Sequence, residues 1–515
     1  MHRRSLDPLR ERGWLLLALL LVANALSLFL FRWFTTLDGP TLALRAAVIE
    51  SSWTTPKYLA DGVAYDVARL PAGPSELIMM AFLKIGGPAF AQTAFGVLAV
   101  LMLGLSVIAL LRALDVRPHV AVILLLPLSF NYLLVLGVFA FLLSTAMAFA
   151  TVAWWISIKR LKVLHVFMLL VSLFLCSLVH RSGGPVALVL LACCELMVWR
   201  SQPDAYRTRW SFAPMKVRLF IIGVVTCALA LLIHRMQLLS SIQGASLSNR
   251  SPFLDLVGFR PFLLFDRSEE VPYLLALGLL FVSLVVVALR RRLKNPRSLM
   301  PVDGLAACAL VLIMASLLVR NRLADMLFLA ERAQTIAFIL LALWAVAQPR
   351  SVISSFLSAL ALAVHVVRLV HAEEKMAGLE ARTKSILTAG AACGEGSVIM
   401  PITLEPNWLL THNAAYLAID HPGIVLTTRD HLNFTTDSIP ADPFWWYLNH
   451  RYGPWDWFGA HVAQHNPPLI DHVLVIGNDP VLRDSIMEGV QPVLDSAYWI
   501  TQDDGYSTLY TLKQP

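Results

Sequence analysis

The sequence contains little charge for its length. Of its 515 residues only 15% are Asp, Glu, Lys or Arg, whereas 57% are hydrophobic. This composition excludes a soluble globular protein, because the surface of such a protein needs many more charged side chains. In a membrane chain the formal net charge of +7 reports on the placement of loops, and no nucleic-acid partner is expected.

Paired cysteines are absent as well. The chain has six cysteines but no Cys-x-x-Cys motif, and all except Cys393 lie in apolar runs, where thiols behave as small hydrophobic groups. No disulfide framework can be predicted from them.

Long apolar runs dominate the sequence. The first, from Gly13 to Phe31, follows an arginine-rich segment and has no cleavage site after it, so we predict an uncleaved transmembrane helix with a cytoplasmic N-terminus. With the later runs we expect about eleven transmembrane helices. The later runs lie at residues 90–111, 120–134, 137–158, 163–179, 186–199, 219–233, 271–289, 303–319, 333–347 and 352–370.

Basic residues support this arrangement, since cytoplasmic loops concentrate Lys and Arg. The segments predicted to be cytoplasmic contain Arg112 and Arg117, Lys159–Lys162, Arg200–Arg218 and Arg290–Lys294. An odd number of spans then places the C-terminus outside the membrane. We interpret 120–158 as two spans joined by an external turn near Pro127, Asn131 and Gly137, and a single long, kinked helix is the alternative.

The apolar runs end near Val370, and a charged helical pattern follows. Short strand-like runs come after it, at Ser397–Met400, Gly423–Thr427, His472–Ile476 and Ser507–Leu512. The predicted fold is therefore mainly α, a polytopic helical membrane protein with a small C-terminal extracytoplasmic α/β domain. The membrane domain spans 1–370, with a long first extracytoplasmic loop at about 32–89, and the α/β domain spans 371–515.

Charged and polar residues collect at the predicted outer ends of the spans. In this topology they share one depth and could face one cavity. They are Asp38 and Arg45 after the first span, Asn131 at the external turn, His180 and Arg181 after the fifth span, and Glu331 and Arg332 at the start of the tenth.

Each of these residues also has a structural explanation. Asp38 before Gly39 and Pro40 is a typical turn and helix start. His180 and Arg181 are placed to reach the headgroup level as interface side chains. Glu331 and Arg332 are able to satisfy each other as an external ion pair. The functional interpretation depends on the coincidence of an acid beside the first span with cations and a histidine at other outer helix ends.

Several short motifs, taken in order, resemble those of uncharacterised bacterial polytopic proteins similar in layout to the GT-C class of membrane glycosyltransferases. The motifs are Asp38-Gly-Pro after the first span, Pro127-Leu-Ser-Phe-Asn-Tyr, Gly137-Val-Phe-Ala-Phe, Glu331-Arg-Ala, and a last span that leads through a helix to Gly396-Ser-Val-Ile-Met-Pro. The resemblance covers most of the chain. Many such enzymes have two adjacent acids in the first loop, where this chain has Asp38 and Gly39, and related sequences often have His where this chain has Leu42.

The resemblance implies a multi-span enzyme of the bacterial inner membrane. Such an enzyme would transfer a sugar from a polyprenyl-phosphate donor to a glycan or lipid acceptor of the cell envelope, at the outer face of the cytoplasmic membrane. Asp38 matches the acid that acts near the donor. The enzyme's other partners would be membrane lipids.

The residue chemistry fits this reaction. A carboxylate such as Asp38 can accept the proton of the attacking hydroxyl. Arg332 and Arg181 can hold a phosphate through bidentate hydrogen bonds, with His180 as an additional donor. Arg45, Asn131 and Glu331 are further candidates for substrate binding. The first loop has no Asp pair or Asp-x-Asp for a divalent ion, and the tail has no His-Glu-x-x-His, so we expect no metal and no cofactor.

Two other functional classes stay open. A transporter or flippase of a lipid-linked or anionic solute would also carry charge within the membrane, but it predicts midplane polar residues and inverted repeats, which the sequence does not show. A non-catalytic envelope assembly protein is compatible with all of these observations.

Overall fold

The structure is a computed structural model that describes residues 8–31, 33–54, 59–60, 63–65, 73–116, 123, 125–201, 251–294, 300–318, 329–348, 352–426, 434–436, 458 and 470–513. Most of these residues are helical. The α-helices are α1 Pro8–Leu26, α2 Gly39–Trp53, α3 Pro74–Ala113, α4 Leu125–Ser129, α5 Tyr132–Val135, α6 Phe139–Ser157, α7 Val163–Val179, α8 Gly183–Ser201, α9 Pro252–Val257, α10 Arg267–Lys294, α11 Asp303–Leu318, α12 Leu329–Ala347, α13 Val352–Gly390, α14 Leu417–Asp420 and α15 Pro480–Ala497. Turns of 3-10 helix lie at Ser27–Leu30, Arg260–Phe262, Trp408–Leu410 and Asn413–Tyr416.

The apolar helices agree with the predicted polytopic architecture. Within the described ranges, seven helices are long and apolar enough to cross a membrane, and α7, α11 and the α4–α5 segment are shorter apolar helices. The chain is therefore a multi-pass membrane protein. The predicted span at 219–233 lies outside the described residues, so the total of about eleven spans stays a prediction.

Two compact units can be distinguished by their internal contacts. Unit 1 comprises Met1–Leu28 and Gly96–Ala372, and unit 2 comprises Phe29–Phe95 and Glu373–Pro515. The predicted domain boundaries at 370 and 371 stay a prediction, and so does the assignment of each domain to a side of the membrane.

In unit 1 the apolar helices pack side by side. Helices α6, α7 and α8 contact one another, and α11 packs against α8 and α12. Gly304 of α11 lies against the backbone of Cys193 and Cys194, where a methyl group on Gly304 would come within 2.7 Å of a backbone atom. Most of α12 is buried, so this helix is central to the core of unit 1.

The apolar stretch 120–158 is interrupted at the residues that the sequence singled out. Helix α4 ends at Ser129, Asn131 caps α5, and α6 begins after Gly137, which has φ +75°. The Asn131 Oδ1 accepts hydrogen bonds from the backbone N–H groups of Leu133 and Leu134 at 3.0 and 3.2 Å. This stretch is therefore not one continuous helix, and its division into two spans joined by an external turn stays a prediction.

A buried polar network crosses this break. The guanidinium of Arg368, in α13, is 0% exposed and donates to the carbonyl oxygens of Phe262, Pro127 and Phe130 at 2.5, 3.0 and 2.8 Å. These carbonyls belong to the 3-10 turn Arg260–Phe262 and to the last residues in and beyond α4, where helices leave acceptors unpaired. Arg368 thus ties two broken segments of unit 1 to the last long helix.

Unit 2 combines the first loop with the tail of the chain. A small antiparallel sheet has the order β1–β2–β5, and it is formed by β1 Leu59–Ala60, β2 Val63–Tyr65 and β5 Phe434–Thr436. Helix α2 packs against the 3-10 turn Asn413–Tyr416, and the ring of Trp33 meets that of Tyr416 edge-on at 4.9 Å. Helix α2 therefore gives the first loop helical structure of its own.

The larger sheet of unit 2 has the order β4–β3–β6–β8–β7. Its strands are β3 Val398–Thr403, β4 Ile424–Val425, β6 His472–Ile476, β7 Tyr498–Asp503 and β8 Ser507–Leu512. The central pair β3 and β6 is parallel, and β6 is buried along its whole length, as expected for a parallel strand in the interior of a sheet. The predicted α/β character of the tail is confirmed.

Candidate functional site

Helix α2 begins at the candidate base, Asp38. Asp38 is the N-cap residue of α2, and its backbone oxygen accepts the N–H of Leu42 at 3.0 Å. Its side chain makes no capping hydrogen bond, although capping is the usual role of an aspartate at this position. The side chain is half-buried. The helix-start explanation of Asp38 therefore accounts for its backbone but not for its carboxylate.

The first N–H of α2 is bound by a residue that precedes Asp38. The Thr36 hydroxyl accepts the backbone N–H of Gly39 at 3.1 Å, and it also accepts an N–H from the side-chain amide of Gln92 at 2.6 Å. The same Gln92 nitrogen donates to the carbonyl oxygen of Phe34 at 2.7 Å. The amide of Gln92 thus holds the segment that leads into α2.

Arg45 lies about two turns after Asp38 and therefore on the same side of α2. Its guanidinium forms an ion pair of 2.6 Å with Glu76, which is 5% exposed, and the hydroxyl of Ser75 donates to the other carboxylate oxygen at 2.9 Å. Arg45 therefore ties α2 to the start of α3, and its predicted contact with substrate stays a prediction.

In unit 1 the structure brings His180 and Arg332 together. A guanidinium nitrogen, Nη1 of Arg332, lies 2.8 Å from Nε2 of His180, and the guanidinium also lies 5.3 Å from the centre of the Phe141 ring. Gly183 makes the preceding turn possible, because a methyl group there would come within 2.6 Å of both the Cys176 carbonyl oxygen and the Ser144 hydroxyl. The turn between α7 and α8 thereby fixes the position of His180.

The protonation of His180 follows from this contact. An arginine has no hydrogen-bond acceptor, so Nε2 of His180 must accept from it, whereas Nδ1 lies 2.7 Å from the Ser182 hydroxyl and 3.2 Å from the backbone N–H of Ser182. Burial, and then the charges of Arg332 and Arg181, hold the pKa of His180 well below its usual value. The imidazole is therefore neutral, and it orients Arg332 without cancelling its charge.

Glu331 belongs to a second buried cluster of unit 1. Its carboxylate lies 3.8 Å from Nε of Arg260, whose Nη1 pairs with Asp255 at 3.2 Å. The Arg260 guanidinium stacks over the ring of Tyr132 at 4.4 Å. Asp255, Arg260 and Glu331 are each less than 9% exposed, so two carboxylates from separate helices share one buried guanidinium.

Sequence reasoning missed several residues of these sites. Gln92, Asp255 and Arg260 were not predicted, although Gln92 is a lone amide inside an apolar run, which is a signal of a buried hydrogen-bond partner.

The side-chain amide of Asn131 is bonded to the backbone through both its nitrogen and its oxygen. Its Nδ2 donates to the carbonyl oxygen of Leu128 in α4 at 2.9 Å, and its Oδ1 accepts from backbone N–H groups of α5. Asp38 and Arg45 belong to unit 2 and the other candidates to unit 1, and the expectation of one shared cavity stays a prediction.

The expected absence of metal also stays a prediction. Among the residues that the structure describes, no three His, Cys, Asp or Glu side chains lie together as a group of metal ligands. Four of the eight histidines of the tail, His431, His450, His461 and His465, lie outside those residues.

Solved structures share this architecture. One of them is the crystal structure of ArnT from Cupriavidus metallidurans in the apo state. The match covers 97% of this chain and 98% of the ArnT chain, with a TM-score of 0.50 and 12% sequence identity. The fold is GT-C-like. ArnT bound to undecaprenyl phosphate matches equally well, at a TM-score of 0.50 over 96% of this chain and 97% of its own.

A third similar structure is the arabinofuranosyltransferase AftD from Mycobacteria, with a TM-score of 0.50 and 12% identity over 98% of this chain but 40% of AftD. No family model and no curated protein matches the sequence. At these identities the structural likeness confirms the predicted GT-C-like fold class and leaves the activity to be argued from the residues.

Proposed function

We propose that this chain is a membrane glycosyltransferase. It moves a sugar from a polyprenyl-phosphate-linked donor to a cell-envelope acceptor at the outer face of the bacterial cytoplasmic membrane, with its N-terminus in the cytoplasm and its C-terminus outside. The GT-C-like fold over nearly the whole chain supports this proposal, and so does the undecaprenyl phosphate bound by the similar ArnT structure.

The observation that carries the proposal is the side chain of Asp38. The side chain of this acid makes no capping hydrogen bond with α2, the helix that begins directly after it. An ordinary helix-start aspartate would be engaged with the backbone N–H groups of its own helix. A carboxylate that the helix does not use is suited to act as a general base.

In the proposed reaction a hydroxyl oxygen of the acceptor attacks the anomeric carbon of the donor sugar. The bond between that carbon and the phosphate oxygen breaks, and its electron pair leaves with the polyprenyl phosphate. The proton of the hydroxyl passes to the Asp38 carboxylate. No redox partner is required, because the reaction transfers only a proton and a glycosyl group.

The departing phosphate needs a cation. We assign this role to Arg332, since the neutral His180 orients its guanidinium and leaves its positive charge in place. Arginine is better suited than lysine, because its planar group binds two phosphate oxygens at once. Arg181, which also acts on His180 electrostatically, is the second candidate for this contact.

The test compares envelope glycans from cells that lack this chain and from cells complemented with variants. Asp38→Asn keeps the shape of the side chain and removes its basicity, so the glycan should match that of cells lacking the chain. Asp115→Asn is the matched control, since Asp115 is exposed and its positive φ of 60° suits asparagine. This variant should restore the glycan.

Mass spectrometry of the glycans and immunoblotting of membranes provide the readouts. A normal glycan in cells with Asp38→Asn would refute the role of Asp38 as base. An unchanged glycan in cells lacking the chain would refute the proposed function altogether.

A further inference from the structure

A buried amide controls the segment that carries Asp38. Gln92 is 1% exposed in the apolar helix α3, where an amide is costly unless it is hydrogen-bonded. Its Nε2 makes two bonds, to the Phe34 carbonyl oxygen at 2.7 Å and to the Thr36 hydroxyl at 2.6 Å. Both partners belong to the short segment before Asp38, so this one side chain holds that segment at two points.

The second bond continues into α2. The Thr36 oxygen that accepts from Gln92 also accepts the backbone N–H of Gly39 at 3.1 Å. This N–H belongs to the first residue of α2 and is one of the donors that a helix leaves without an intrahelical partner. Gln92 therefore orients the hydroxyl that binds the first N–H of α2.

The contact between Gln92 and Thr36 also leaves room only for glycine at position 39. A Cβ atom on Gly39 would come within 2.6 Å of Gln92 Nε2 and would also collide with the Thr36 hydroxyl oxygen. No larger residue fits beside Asp38 while Gln92 and Thr36 keep their places. The Asp-Gly-Pro sequence is thus matched to a glutamine more than fifty positions later in the chain.

We propose that Gln92 is a positioning residue for Asp38. Through Thr36 and the N–H of Gly39 it fixes the start of α2, and with it the position of the residue that carries the carboxylate. This inference rests on the proposed role of Asp38 as the base. It adds a second residue, in a different helix, that determines where the proton is accepted.

The first test is Gln92→Leu, which keeps the volume of the side chain and removes both hydrogen bonds. Transfer should fall by about 10- to 100-fold, because small displacements of a catalytic group have effects of this size. Thr93→Val is the matched control, since Thr93 is also buried and its hydroxyl bonds only to Ala89 of the same helix at 3.0 Å. The probe is the envelope glycan that changes in cells lacking this chain.

A pair of substitutions at Thr36 tests the same pathway without changing Gln92. Thr36→Ser keeps the hydroxyl and should retain transfer, whereas Thr36→Val removes it and should behave like Gln92→Leu. If Gln92→Leu does not accumulate in the membrane, this pair decides the question. Equal transfer by the two Thr36 variants would overturn the proposal.

A double variant separates positioning from general stability. Asp38→Glu moves the carboxylate by one methylene. The sugar transfer that remains in this variant should no longer depend on the position that Gln92 gives to residue 38. Adding Gln92→Leu to Asp38→Glu should change transfer by less than about twofold, because residues that act through one another are not additive. An equal loss in both backgrounds would mean that Gln92 only stabilises the fold. Normal transfer with Gln92→Leu alone would overturn the inference while leaving the role of Asp38 to its own test.

Discussion

At the scale of single residues, the contact between His180 and Arg332 determines what each can do. Nε2 of His180 accepts from Arg332, so the imidazole cannot donate to a phosphate through that atom while the contact lasts. The sequence suggested His180 as an additional phosphate donor. The geometry favours a different role for it, as the group that orients Arg332.

This role predicts a graded series of variants. Arg332→Lys should lower transfer by about tenfold or more, because an ammonium group cannot make the bidentate contact and hydrogen bonds to charged groups contribute about 1.5–3 kcal/mol. His180→Gln should retain part of the activity, since its amide oxygen can accept from Arg332. His180→Phe should lose more than His180→Gln. Initial rates of sugar transfer in membrane vesicles would measure the series, and equal activity of the two His180 variants would contradict the orienting role.

Sequence reasoning could find the charged residues of the sites but not their partners. Asp38, His180 and Arg332 stand out in the sequence. A charge or an imidazole at the end of an apolar run raises the free energy of the protein in a membrane unless the group has a partner or a function. Arg260 and Gln92 were missed because their partners lie far away in the sequence. The ion pair of Arg260 with Glu331 and the bond of Gln92 to Phe34 depend on helix register, which residue order alone does not specify.

At the scale of elements, the break between α4 and α6 is maintained from a distant helix. Arg368 of α13 donates to carbonyl groups of Pro127 and Phe130 at the end of α4. It also donates to Phe262, in the same 3-10 turn as Arg260. Because helix ends leave carbonyl groups without intrahelical partners, a buried break needs a donor of this kind.

The prediction at this scale concerns Arg368→Met, which keeps an unbranched apolar side chain but removes every donor. Three buried carbonyl groups would each lose an N–H, and we expect the variant to be destabilised by about 2–5 kcal/mol. The midpoint of thermal aggregation in detergent should fall clearly. Arg200→Met is the matched control, since Arg200 is exposed at the end of α8, and an equal midpoint for the two variants would contradict the capping role.

Predictions of strands succeeded where burial determined the pattern. The bounds of β6 and β8 agree with the predicted runs His472–Ile476 and Ser507–Leu512, because these strands lie inside the sheet. Strand β7 was missed, since it is an edge strand whose residues Trp499 and Ile500 are exposed. The strands β1, β2 and β5 are only two or three residues long, and such strands exist through pairing rather than through any local preference.

At the scale of the whole molecule, the strongest regularity is the distribution of basic residues between loops. It predicts a cytoplasmic N-terminus, a cytoplasmic segment after α10 and an external C-terminus. Alkaline phosphatase fused at the C-terminus should be active, whereas the same fusion after Lys294 should be inactive. A green fluorescent protein fusion should show the opposite pattern at both positions. Fluorescence at the C-terminus would contradict the topology and, with it, the proposed placement of the reaction.

The discontinuity of unit 2 has a consequence for the order of events during biosynthesis. Strand β2 of the first loop pairs with β5, so that Val63 lies opposite Thr436, with nearly all of the membrane helices between them in the chain. The ribosome makes the first loop early, and its strand edge has no partner until the last quarter of the chain has been synthesised and delivered to the same side. Until then the β1–β2 edge is exposed to other chains, as unpaired edges are in general. A nascent chain released before the tail emerges would therefore hold β1 and β2 without the third strand of their sheet.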